Sequence, residues 1–82
     1  MMAELIHKDG FLEFWHIDNS ESGKTMIVSV KNKNDVELGQ VKWHGAWRKY
    51  DFHVSANIIL DSICLRAIAD FCDTVTKYHG RS

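Results

Sequence analysis

Val41-Lys42-Trp43-His44-Gly45-Ala46-Trp47-Arg48-Lys49-Tyr50-Asp51-Phe52 sets two tryptophans, a tyrosine and a phenylalanine among an arginine and two lysines. Read with a period of two, the stretch predicts a tight β-hairpin. One strand arrives over Val36 to His44, the chain turns at His44, Gly45 and Ala46, and the partner strand runs from Trp47 to Val54. Tyr50, Phe52 and Val54 form the apolar side of that second strand, with Lys49, Asp51 and His53 opposite. In the first strand Val36 and Leu38 share one side while Val41 and Trp43 fall on the other, so Gly39, at the change of parity, predicts a β-bulge.

Working outward, Thr25 to Lys31 reads as a further strand, with Met26, Val28 and Val30 inward and Ile27, Ser29 and Lys31 outward. Asn32-Lys33-Asn34-Asp35 joins it to the hairpin with residues that tolerate left-handed backbone. Phe11 to Ile17 alternates with apolar residues on both sides, which predicts a strand covered twice, as at a subunit contact. Asp18 to Lys24 is polar and predicts an exposed loop, and Met1 to Gly10 reads as a short strand or an arm. Downstream, Asp61 suits the N-cap of a helix over Ser62 to His79. Cys64, Leu65, Ile68, Phe71, Cys72 and Val75 make its apolar stripe, and Gly80 suits its left-handed cap.

These elements predict a single α+β domain over residues 1–82: an antiparallel sheet of four to five strands, ordered as a meander, with one C-terminal helix packed on it. The expected core is Val28, Val30, Val41, Phe52, Leu65, Ile68, Phe71 and Val75. A chain of 82 residues has a small core, and association is one way to bury apolar surface that one copy leaves exposed, so a homo-oligomer is expected. The net charge of −1 excludes a uniformly basic coat for nucleic acid. It leaves a local basic patch, because Lys42, Arg48 and Lys49 outnumber Asp51 between Gly39 and Val54.

Cys64 and Cys72, eight residues apart on one helix, stand roughly 80° apart around its axis and about 12 Å along it, too far to bridge. Reduced thiols, together with the lack of a signal-peptide pattern or long apolar run, predict no membrane association and a cytosolic location.

From Gly39 to Phe71 the residues G-Q-V-K-W-H-G-A-W-R-K-Y-D-F, followed by C-L-R-A-I-A-D-F, resemble a group of small phage and prophage proteins. Their pattern is G-x-I-K-W-x-x-x-W-R-x-Y-x-F and then C-L-x-x-I-x-x-F. The proline that often follows the last aromatic strand position in that group is absent here, where His53 and Val54 stand. The resemblance implies a phage origin, hence the host cytoplasm. By analogy with other small phage accessory proteins, it also implies action against host defence.

Catalysis finds little support in the residues. No phosphate-binding glycine loop or nucleophile elbow occurs, the cysteines sit on the apolar stripe, and His44 with His53 lacks a third metal ligand. A non-catalytic protein without cofactor or metal is therefore expected. Binding through the hairpin is better motivated, since tryptophan and tyrosine faces stack on nucleobases and arginine holds phosphate through paired hydrogen bonds. The expected ligand-binding set is Trp43, Trp47, Arg48, Tyr50, Lys42 and Lys49. The leading expectation is sequestration of a nucleotide-type immune signal. The same residue types dominate protein interfaces, so direct inhibition of a host defence protein is the alternative, with weak nucleic-acid binding third.

Overall fold

The computed structural model describes residues 3–79. Five strands and a helix follow one another: β1 (Glu4–Asp9), β2 (Leu12–Asn19), β3 (Met26–Lys31), β4 (Glu37–His44), β5 (Lys49–Val54) and α1 (Ser62–His79). The sheet order is β1-β2-β3-β4-β5 and every pair is antiparallel. This is the expected meander with one C-terminal helix on it. Met1 to Gly10 contributes an edge strand from Glu4 onward, and Gly80 lies outside the described residues.

Side-chain alternation decides which face the helix covers. Phe14, Val28, Val30 and Val41 are completely buried, and Leu12, Tyr50, Ile68 and Phe71 are nearly so. The Phe14 and Phe71 rings stack at 4.3 Å between centroids, joining β2 to the middle of the helix. Burying each such ring contributes roughly 2–3 kcal/mol. α1 packs chiefly along β5, where the Tyr50 amide donates to Thr76 Oγ1 at 2.9 Å. That bond satisfies a strand-edge donor that would otherwise stand open.

Three residues of the expected core lie at its margin or outside it. Leu65 is 50% exposed, whereas Ala67 is buried. Leu65 lies about 100° around the helix from Cys64, so it falls at the margin of the stripe centred on Ile68, Phe71 and Val75. There it lines a shallow groove beside Phe52 and Cys72. Phe52 and Val75 are only partly buried, packed against the core from its edge. Phe11 is not part of a twice-covered strand, because it sits in the β1–β2 turn and is exposed.

The expected β-bulge is present: the register slips between Val30 and Lys31, which face Gly39 and Glu37, so the extra residue is Leu38, next to Gly39. Gly39 is also a point of close approach. A Cβ there would stand 2.4 Å from the His53 carbonyl oxygen and 2.6 Å from Phe52 Cζ, so the Phe52 ring packs where a side chain would be.

The turns behave as their residues predict. Asn32 Oδ1 accepts from the Asn34 and Val36 amides at 2.9 and 3.1 Å, and Asp35 takes a left-handed φ of 63°. Asp61 caps α1, accepting from the Cys64 amide at 2.9 Å.

The face away from the helix carries polar side chains that bond to one another. Ser29 Oγ donates to Glu37 Oε1 at 2.6 Å, Gln40 Nε2 donates to the same oxygen at 3.2 Å, and Trp15 Nε1 donates to Glu13 at 3.0 Å. Ser29 is almost fully buried by these longer neighbours, and its bond to Glu37 explains how a serine occupies the middle strand with its hydroxyl satisfied.

Candidate functional site

The β4–β5 hairpin pairs Lys42 with Asp51, Trp43 with Tyr50 and His44 with Lys49. Neighbouring positions on a strand point to opposite faces, so this register divides the expected site in two. Trp43 and Tyr50 belong to the helix side; Lys42, Lys49, His44 and Asp51 belong to the open side.

On the helix side Tyr50 is buried, and its hydroxyl accepts from the Met26 amide at 3.2 Å. Trp43 meets Tyr50 edge-on at 5.3 Å and lies against His79 at 4.3 Å, where the last turn of α1 covers it. These two rings hold the end of the helix to the sheet. They are not brought together with Trp47 and Arg48.

The turn itself holds four residues, Gly45 to Arg48, and β5 begins at Lys49 rather than at the expected Trp47. The Trp47 amide donates to the His44 carbonyl at 3.2 Å and the Arg48 amide to the Gly45 carbonyl at 3.3 Å. Arg48 closes the turn with φ 54°, a left-handed conformation that costs an ordinary L-residue roughly 1–2 kcal/mol. Trp47 is thereby lifted from the sheet and left 64% exposed.

One further pair completes this tip. His44 Nδ1 and Asp51 Oδ2 lie 2.6 Å apart, diagonally across the hairpin. A carboxylate at that distance fixes the imidazole ring plane and favours a proton on Nδ1. The fixed ring supports the Trp47 indole at 4.2 Å between centroids. Asp51, His44 and Trp47 therefore form a stack from β5 to the turn. Lys42 and Lys49 stand beside Asp51 and His44 in the register, and Arg48 follows Trp47 in the turn; Lys42 is half-buried and the other two are exposed.

Trp47, Arg48, Lys42 and Lys49 of the expected set lie at this end of the hairpin, and the His44–Asp51 couple is not among the expected residues. The signal for it lies in the register, since residues diagonal across a hairpin are within reach of long side chains.

The chemistry open to this arrangement is recognition of a partner by an indole and three cations. Among the described residues no group of three or more His, Cys, Asp or Glu side chains could hold a metal ion. The two thiols are held protonated. Burial pushes the Cys72 thiol up to about 11, with Asp51 and Asp73 adding to the effect, and partial burial followed by the Asp61 hydrogen bond raises Cys64. Among the described residues no helix is long and apolar enough to cross a membrane.

Fold and tip together define a small α+β protein that displays a basic, tryptophan-bearing hairpin. No protein-family model matches the chain and no solved structure matches it. The "Uncharacterized 9.3 kDa protein" of Acholeplasma phage L2 is 43% identical to it over 55 residues, 66% of this chain and 70% of that protein. The chain belongs to the family of small phage proteins that includes this relative.

Proposed function

We propose that the chain is a non-catalytic counter-defence protein that engages a host defence protein through the tip of its β4–β5 hairpin. The observation that carries this reading is the exposure of Trp47 at a convex turn, backed by His44 and Asp51. A projecting indole beside arginine is the residue pairing that dominates protein–protein hot spots. A convex knob inserts into a partner's pocket, whereas a small ligand needs a concave site that covers most of its surface. Fixing the indole on a held imidazole also lowers the side-chain entropy lost on docking.

The test is affinity capture of the tagged chain from host cells, with Trp47→Ala and Arg48→Ala beside the parent. A host protein retained by the parent and lost with both variants supports the reading. Identical retention by all three overturns it.

Sequestration of a nucleotide-type signal is the second reading, and one observation favours it: the exposed Trp47 shares the end of the hairpin with Lys42, Arg48 and Lys49, residue types that pair with a base and with phosphates. Native mass spectrometry with linear and cyclic nucleotides separates the two. A nucleotide held at fixed stoichiometry, and lost with Trp47→Ala, selects this second reading.

A further inference from the structure

The side of the molecule away from the hairpin carries a groove between the edge strand β1 and α1. Its first part, about 300 Å³, has Leu12 and Ala67 among its lining residues, with Phe11 and Ile63 at its lips. A second hollow of about 420 Å³ continues it past Ile6 and Tyr78, sharing Asp9 and Asp70 with the first. The four large side chains along it are exposed: Phe11 71%, Ile63 73%, Tyr78 65% and Ile6 36%. Together they leave on the order of 500 Å² of largely apolar surface in water, a large part of the roughly 800 Å² that a standard interface covers on each partner.

The charges beside the groove have both signs. Asp9, Arg66 and Asp70 line it, and Arg66 and Asp70 are one helical turn apart on α1. A surface of this kind complements itself. When two copies meet about a two-fold axis with their helices crossing between positions 66 and 70, each Arg66 faces the other copy's Asp70, and the pair forms twice. A partner strand added to β1 is a poorer solution. The register of β1 slips between Leu5 and His7, and Glu4, Lys8 and Asp9 place charges along that edge. Packing of a partner's side chains over the apolar lips suits this edge better.

We propose that this groove is the seat of a second copy of the chain, in an isologous dimer held by the apolar lips and by reciprocal Arg66–Asp70 pairs. The inference is independent of what the hairpin binds. β1 and β5 are opposite edges of the sheet, so the dimer leaves both hairpin tips free.

The experiment is sedimentation velocity on four samples: the parent chain, Arg66→Asp, Asp70→Arg, and an equimolar mixture of the two variants. The parent is expected to sediment as a dimer. Each variant alone sets like charges face to face at both pairs and should sediment as a monomer, with an unchanged circular dichroism spectrum because both positions are exposed. The mixture should recover the dimer, since the introduced aspartate of one variant then meets the introduced arginine of the other while the native pair survives once. Phe11→Asp, at an exposed turn position, should also give a folded monomer. A monomeric parent, variants that stay dimeric, or a mixture that stays monomeric would each overturn the proposal.

Discussion

The Tyr50 hydroxyl on β5 accepts a hydrogen bond from the Met26 amide on β3 at 3.2 Å, reaching past the β4 strand that separates them. One side chain thus fixes the start of β3 as well as its own strand. Tyr50→Phe removes the acceptor and leaves the amide without this partner, which should lower stability by about 1 kcal/mol. Urea denaturation measures the loss, and faster hydrogen exchange at Met26 localises it.

Arg48 separates binding from stability. Its left-handed backbone favours glycine, so Arg48→Gly should raise stability by up to about 1 kcal/mol while removing whatever partner the guanidinium holds. Arg48→Ala keeps the conformational cost and should be near-neutral for folding. Denaturation of the three chains, run beside the capture experiment, checks both halves.

At Gly39 the smallest possible addition is expected to be damaging. A methyl group would meet backbone oxygen of His53 and the Phe52 ring at less than contact distance. Gly39→Ala should cost about 2–3 kcal/mol, and Gly39→Ala with Phe52→Leu should recover part of it. Thermal melts of the single and double variants decide this.

Asp61 makes the helix start sensitive to acid. Its carboxyl is held below the ordinary 3.8, first by the Cys64 amide and then by the Cys64 side chain. A depressed folded-state value means that the contribution is present above the unfolded value and is lost as pH falls through the folded one. Asp61→Asn keeps a capping oxygen and should flatten that acid dependence, whereas Asp61→Ala should lower the melting temperature at neutral pH as well. Melting temperatures between pH 2 and 7 distinguish the three chains.

Cys72 gives the opposite limb. Its folded-state value is raised from 9.0 to about 11, chiefly by burial, so its contribution is complete below 9.0 and disappears as pH rises towards 11. Stability should decline across that window in the parent and less in Cys72→Ala, measured relative to each variant's own value at pH 7. The native thiol should also react with Ellman's reagent far more slowly than in urea.

The meander is legible because each element carries its own period. Thr25 to Lys31 alternates cleanly and Val28 and Val30 are buried as expected, while Asp61 and the 3.6-residue stripe place the helix to within its observed limits. Leu65 departs from expectation because periodicity gives the direction of an apolar stripe but not its width, and Ala67 is too small to advertise its burial. The candidate site is half legible. Composition gathers Trp43, Trp47, Arg48 and Tyr50 in one stretch, but strand parity sends Trp43 and Tyr50 beneath the helix: alternation sets Tyr50 on the face opposite Lys49, and the register adds the pairing of Trp43 with Tyr50. The His44–Asp51 couple arises across the hairpin, where linear proximity carries no signal.

The sheet order has a consequence for synthesis. Every strand pairs with the one made immediately before it, so the sheet can zip together as the chain leaves the ribosome, with only short loops to close. Its apolar face has no such local cover. Phe14 must wait for Phe71, which stacks on it from a helix made after all five strands. A chain stopped before that helix would carry Phe14, Val28, Val30 and Val41 uncovered, and translation of the eighteen-residue helix is what turns an aggregation-prone nascent sheet into a closed fold.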